Sequence, residues 1–150
     1  MYLQWLKQIE KEKQSRGRKL QPPATAEDIL ILKNIAKETL GYELDESYAK
    51  FLRITNGIDW NGFSIYATTI TPIIGYDDRF IAGFIDINLQ YWEVEVNRIF
   101  IAFGETGDTR YVFNLQKNEF EEIDSVALDP IETFSSFDEL INHLLKQALE

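Results

Sequence analysis

The chain contains no cysteine, and His143 is the single histidine among its 150 residues. Without cysteine there is no disulfide, no thiol nucleophile and no thiolate metal ligand. No run of about 18 apolar residues occurs, so we expect no membrane-spanning helix. Met1 to Lys19 also lacks the apolar core and the small-residue cleavage site of a secretory signal. These absences favour a cytoplasmic protein with no membrane partner.

Basic residues are scarce outside the N-terminus. The formal net charge is −10, and it divides into +4 for residues 1–20 and −14 for residues 21–150. An acidic body repels the phosphates of nucleic acid, so we expect no nucleic-acid partner. It favours a protein partner with a basic surface, attracted over long range. Acidity by itself also improves solubility, and this simpler explanation stays open.

The sequence shows no recognisable catalytic or metal-binding set. His143 has neither a second histidine nor a cysteine to work with, so a zinc site would need carboxylates. The Gly104–Asp108 turn lacks the pattern of a phosphate loop and that of an EF-hand. Carboxylate pairs occur, but a sequence cannot show whether two acids face each other across a cleft. We therefore expect no enzyme activity, no bound metal and no cofactor.

Four helices are predicted from apolar residues at helical spacing. They cover residues 2–15, 26–40, 45–55 and 137–149. Thr25 and Asp28 resemble a capping box before the second helix, and Gly41 suits its left-handed end. Ser136 and Glu139 form a full capping box before the last helix. We expect residues 1–24 to be an N-terminal helix and linker, and residues 25–150 to be a single domain.

The middle of the chain is rich in β-branched and aromatic residues, which favour strands. The predicted strands are Phe63–Tyr66, Thr69–Ile74, Arg79–Ile87, Ile99–Phe103, Arg110–Leu115 and Glu119–Ile123. The connectors Gly104–Asp108 and Gln116–Asn118 have the length of hairpin turns. The order of elements predicts an α+β fold, with N-terminal helices, a mostly antiparallel sheet and a C-terminal helix packed on that sheet. We expect the opposite sheet face or an edge to be free for contact.

Aromatic residues stand beside acids in three segments that we expect to be loops. They are Asp59 with Trp60, Tyr76 with Asp77 and Asp78, and Tyr91 with Trp92 and Glu93. Trp and Tyr are preferred anchors of protein interfaces, and neighbouring acids pair with Lys and Arg. The two tryptophans fit a core role equally well if each indole N–H has a local acceptor. The three clusters together favour a partner-binding surface.

Several of these segments resemble the SUKH superfamily. The matching pieces are Leu40–Tyr48, Phe51–Gly57, Ile101–Gly104 with Gly107 and Asp108, the strand that runs to Asn114, and Phe134–Leu140. Asp45 stands where the family usually has proline. The resemblance covers about residues 25 to 148 and is closest to the YrhA-like bacterial branch. The superfamily groups fungal regulators of cell-wall assembly, of the Smi/Knr type, with bacterial immunity proteins of polymorphic toxin systems.

The resemblance implies a SUKH-like fold and a function in protein binding. It implies an immunity protein inside the cell that binds and occludes a cognate toxin domain, for example a nuclease. A different class, a regulatory or scaffold module without a toxin partner, is the alternative. A neighbouring gene for a large secreted protein with a variable C-terminal toxin domain would distinguish the two.

Overall fold

A computed structural model describes every residue of the chain, from Met1 to Glu150. The helices are α1 Leu3–Ser15, α2 Ala26–Leu40, α3 Glu46–Leu52, α4 Phe84–Trp92 and α5 Phe137–Ala148, with a 3₁₀ helix at Glu95–Ile99. The strands are β1 Ile58–Trp60, β2 Phe63–Ile65, β3 Thr71–Pro72, β4 Phe80–Ile81, β5 Phe100–Glu105, β6 Thr109–Asn114, β7 Glu119–Asp124 and β8 Pro130–Phe134. No helix has both the length and the apolar composition that a membrane crossing requires.

The strands form one main antiparallel sheet and one small hairpin. The main sheet has six strands in the order β1-β2-β5-β6-β7-β8, and β3 pairs only with β4. Helices α1 to α3 precede the sheet and α5 follows it, which confirms the predicted α+β class. Every main-sheet pair is antiparallel, and the β5-β6 and β6-β7 pairs are those expected from the two hairpin-length connectors.

The predicted helix ends are confirmed where side chains cap them. Thr25 Oγ1 accepts the Asp28 N–H at 3.0 Å, and Asp28 Oδ2 accepts the Thr25 N–H at 3.2 Å. Gly41 ends α2 in the left-handed region, with φ of 61°. At α5, Ser136 Oγ accepts the Glu139 N–H at 3.2 Å. These caps determine where α2 begins and ends and where α5 begins, and they act within a few residues of the chain.

An aromatic cluster joins α3, α5 and the sheet. Tyr48, Phe103 and Phe137 are buried, with ring centroids 5.1–5.5 Å apart. The Tyr48 hydroxyl donates to the carbonyl of Tyr66 at 2.6 Å, so its one polar atom is paired inside the core. The buried residues of α5 are Phe137, Leu140, Ile141, Leu144, Leu145 and Ala148.

The predicted strand at 79–87 is wrong, because its last four residues belong to a helix. Only Phe80–Ile81 is strand, and α4 begins at Phe84. Asn88 of α4 is buried, and its amide donates to the Ala102 carbonyl at 2.9 Å and accepts the Ala102 N–H at 2.7 Å. Strand β2 pairs with β5 only at Gly104 and Glu105. At Ala102 the Asn88 side chain therefore forms the hydrogen bonds that a neighbouring strand would form. This tertiary contact outweighs the β propensity of Ile85 and Ile87.

The remaining differences concern short strands and the second sheet face. The predicted strand at 69–74 is reduced to Thr71–Pro72, and β1 and β8 were not predicted. Alternation along β6 points Tyr111 toward α5 and its neighbours Arg110 and Val112 to the other face. That face meets the end of α4 and the 3₁₀ helix, and Val112 is completely buried. The second face is therefore only partly open.

Candidate partner-binding surface

Asp59 and Trp60 belong to strand β1, although we expected them in a loop. β1 and β2 form a tight hairpin through Asn61 and Gly62, whose φ angles are 52° and 82°. Positive φ at both central residues marks the primed turn that suits two-residue hairpins. The Asn-Gly pair was the sequence signal for this hairpin, and our strand prediction overlooked it.

Tyr76 lies between two arginines in the loop that connects β3 with β4. The guanidinium carbons of Arg18 and Arg79 are 4.3 Å and 4.8 Å from its ring centroid. Arg79 also forms an ion pair with Asp59, with 2.8 Å between Nη2 and Oδ2. Two of the three predicted clusters therefore meet at Arg79. Asp77 and Asp78 are exposed beside them.

The chain's own N-terminal basic residues cover Trp60. Lys13 Nζ and the Arg16 guanidinium carbon are 5.2 Å and 5.1 Å from its ring. Lys13 Nζ donates to the Asp59 carbonyl at 3.1 Å. Burial lowers the pKa of Lys13; Asp59 opposes this shift, and nearby arginines add to it. These cations cover the aromatic faces that we expected a partner to contact.

The resulting pocket has a volume of about 470 Å³ and is basic. Its charged lining consists of Lys13, Arg16, Arg18 and Arg79 against the single acid Asp59. The first two acid-aromatic clusters therefore connect the N-terminal segment to the β1-β2 and β3-β4 hairpins through contacts within the protein. Asp77 and Asp78 are the acids of these two clusters that stay exposed.

Tyr91 and Trp92 end helix α4, so the expectation of a loop is wrong for both. Trp92 is half-buried, and its indole N–H donates to the Phe100 carbonyl at 2.8 Å. Trp92 thus fits the core alternative that the sequence left open. Tyr91 lies under the Arg110 guanidinium, 3.9 Å from ring centroid to Cζ. Of this third cluster, Glu93 is exposed.

Arg110 joins three segments into one surface, which we call the Arg110 surface: residues 93–98, 105–110 and 124–129. Its guanidinium donates to Asn97 Oδ1 at 3.2 Å and to the Ser125 carbonyl at 3.1 Å. The Ser125 N–H in turn donates to the Asp108 carbonyl at 2.8 Å. Since all three segments meet at one half-buried arginine, they are neighbours on the surface of the protein.

The Arg110 surface combines exposed valines with acids. Val126 is 88% exposed, and Val94 and Val96 are each 58% exposed. The acids are Glu93, Glu95, Glu105, Asp108, Asp124 and Asp129, against the two cations Arg98 and Arg110. Backbone N–H groups of Ala127 and Val126 hold the pKa of Asp124 below its usual value, so this acid stays charged. Apolar side chains among acids suit a partner with a basic, partly apolar surface.

The fold and this surface define a class, an α+β protein-interaction domain of the SUKH type. The model of the SMI1 / KNR4 family (SUKH-1) matches residues 23–143. The chain therefore belongs to that family, which confirms the resemblance; assignment to the YrhA-like branch stays a prediction. A search of curated proteins gave no match. Family membership is consistent with an immunity role or a regulatory role, each through a protein partner in general.

Proposed function

We propose that this protein is an immunity protein that binds a cognate toxin domain through the Arg110 surface. The observation that carries the proposal is the group of exposed valines and acids held together by Arg110 on a SUKH domain. The protein acts by binding alone: it covers the toxin's active site and performs no reaction itself.

The charge of the surface supports a toxin with a basic cleft. A nuclease needs such a cleft because its substrate carries phosphates. The net charge of −10 attracts this cleft over long range and speeds association. The valines then remove apolar surface from water at the contact, while the acids pair with Lys and Arg around them.

The structure of the surface also limits the conformational entropy that is lost on binding. Arg110 stacks on Tyr91 and bonds to Asn97 and Ser125, which ties the three segments together before a partner arrives. Segments that are already ordered lose less conformational entropy on association than flexible loops do. A regulatory module without a toxin, the alternative from the sequence, would use the same surface and the same physical argument.

Co-expression in a bacterial host tests the proposal directly. The toxin domain would come from a secreted-protein gene next to the gene for this chain. We expect host growth to stop with the toxin domain alone and to be restored when this protein is co-expressed. A toxin domain of unrelated sequence is the control for specificity. Growth arrest that persists despite abundant folded protein would contradict the immunity role, and the regulatory alternative would then be favoured.

A further inference from the structure

The polar side chains of Tyr111, Glu122 and Glu132 form a row across the last three strands of the main sheet. Tyr111 of β6 is directly opposite Glu122 of β7, and Glu122 is directly opposite Glu132 of β8. Residues in register on neighbouring strands point to the same face, which here is the face covered by α5. His143 of α5 contacts both glutamates from above. The row and the helix thus bring four titratable side chains into one cluster.

The distances within this cluster have the scale of a metal site. His143 Nε2 is 3.4 Å from Glu122 Oε1 and 3.5 Å from Glu132 Oε2. One ligand atom from each of the three residues lies within 4.8 Å of the others. Zinc binds nitrogen and oxygen at about 2.0–2.2 Å, so tetrahedral ligands around zinc are about 3.3–3.6 Å apart. The two distances from the imidazole therefore match two edges of such a tetrahedron.

Two polar atoms in the cluster have no hydrogen-bond partner. They are His143 Nε2, which lies 3.4 Å and 3.5 Å from the two glutamates without a hydrogen bond to either, and the Tyr111 hydroxyl, which faces Glu122; both atoms are buried. Buried polar atoms without a partner are rare, and each calls for an explanation. Tyr111 is fully buried directly opposite Glu122, so its hydroxyl is a donor beside that carboxylate.

We propose that Glu122, Glu132 and His143 bind a zinc ion, with water completing the coordination. A small set of ligands that includes a histidine nitrogen suits zinc, whereas calcium and magnesium prefer larger sets of oxygen ligands. Glu132 has a side-chain exposure of 52%, which gives the ion and the water a path from solvent. The Tyr111 hydroxyl is placed to donate to Glu122 and so orient this ligand.

The proposed site departs from our expectation that the protein holds no metal, which stays untested. The sequence showed a lone histidine that would need carboxylates, and strand register supplies two of them from β7 and β8. The ion would connect these two strands to α5. It would stabilise the folded chain by binding it in preference to the unfolded chain. Zinc binding is measured on the isolated protein, so its outcome is independent of whether a toxin partner exists.

Thermal unfolding with zinc chloride alone, after treatment with a chelator, tests the site. At free zinc about 100-fold above its Kd we expect Tm to rise by about 5–10 °C. Cobalt chloride should give the visible absorption of a four-coordinate ion, which a purely structural ion pair cannot produce. An unchanged Tm and an absent cobalt spectrum would overturn the proposal.

Substitutions then identify the ligands. Glu132→Gln removes an exposed ligand and should leave folding intact, while zinc binding weakens by about 10-fold or more. His143→Gln should abolish the cobalt spectrum. Glu119→Gln is the matched control, because Glu119 is on β7, is exposed and points to the opposite face. Wild-type zinc affinity and an unchanged cobalt spectrum in both ligand variants would overturn the assignment of this site.

Discussion

Replacement of three acids on the Arg110 surface by lysine is expected to abolish the protection of host cells against the toxin domain. The variant Glu93→Lys, Glu95→Lys and Asp108→Lys replaces exposed carboxylates with ammonium groups that face a basic partner. Like charges placed against each other across an interface cost several kcal/mol, so we expect Kd to rise by about 100-fold or more. Binding kinetics with the purified toxin domain measure the change.

A second triple variant separates local contact from net charge. Glu38→Lys, Glu43→Lys and Glu119→Lys changes the total charge by the same amount at exposed positions outside the Arg110 surface. We expect a slower on-rate in this control but a dissociation rate near that of the wild type. Equal losses of affinity in the two triple variants would show that only total charge matters and that the contact is elsewhere.

Truncation of Tyr48 is expected to cause the largest loss of stability. Tyr48 is completely buried against Phe84, Phe103 and Phe137, and its hydroxyl donates to the Tyr66 carbonyl. Tyr48→Ala should reduce the free energy of unfolding by about 4–5 kcal/mol, because it leaves a cavity among aromatic rings.

Tyr48→Phe is the matched control for this truncation. It keeps the ring and removes only the donor to the Tyr66 carbonyl, so we expect a loss of about 1–2 kcal/mol. Urea unfolding measures both variants. Similar midpoints for the two would contradict the aromatic cluster as the centre of the fold, since the ring would then contribute little beyond its hydroxyl.

Local signals allowed much of the fold to be predicted. Thr25 with Asp28, Gly41 and Ser136 fixed helix ends because each acts on its own backbone within a few residues. Helix α4 was missed because its position depends on Asn88 pairing with Ala102, a contact between distant parts of the chain. Strand β8 was missed because its residues are mostly exposed and carry no apolar alternation.

The candidate surface was harder to predict, because it depends on long-range contacts. The acids and aromatics at 59–60 and 76–78 were found, but the sequence could not show that Arg16 and Arg18 would fold onto Trp60 and Tyr76. The Arg110 surface draws on three separate segments, and only Glu93 belonged to the predicted clusters. The exposed alternation from Glu93 to Val96 was a usable signal, whereas the position of Val126 needed the structure.

Amide hydrogen exchange on the complex with the toxin domain shows which surface of this protein contacts the partner. The measurement compares the exchange of each peptide segment in the free protein and in the complex. We expect slower exchange in the complex at residues 93–98, 105–110 and 124–129, with little change around Trp60 and Tyr76. Slower exchange at residues 13–18, 59–62 and 75–79, with the Arg110 surface unchanged, would contradict binding through the Arg110 surface and place the partner at the basic pocket.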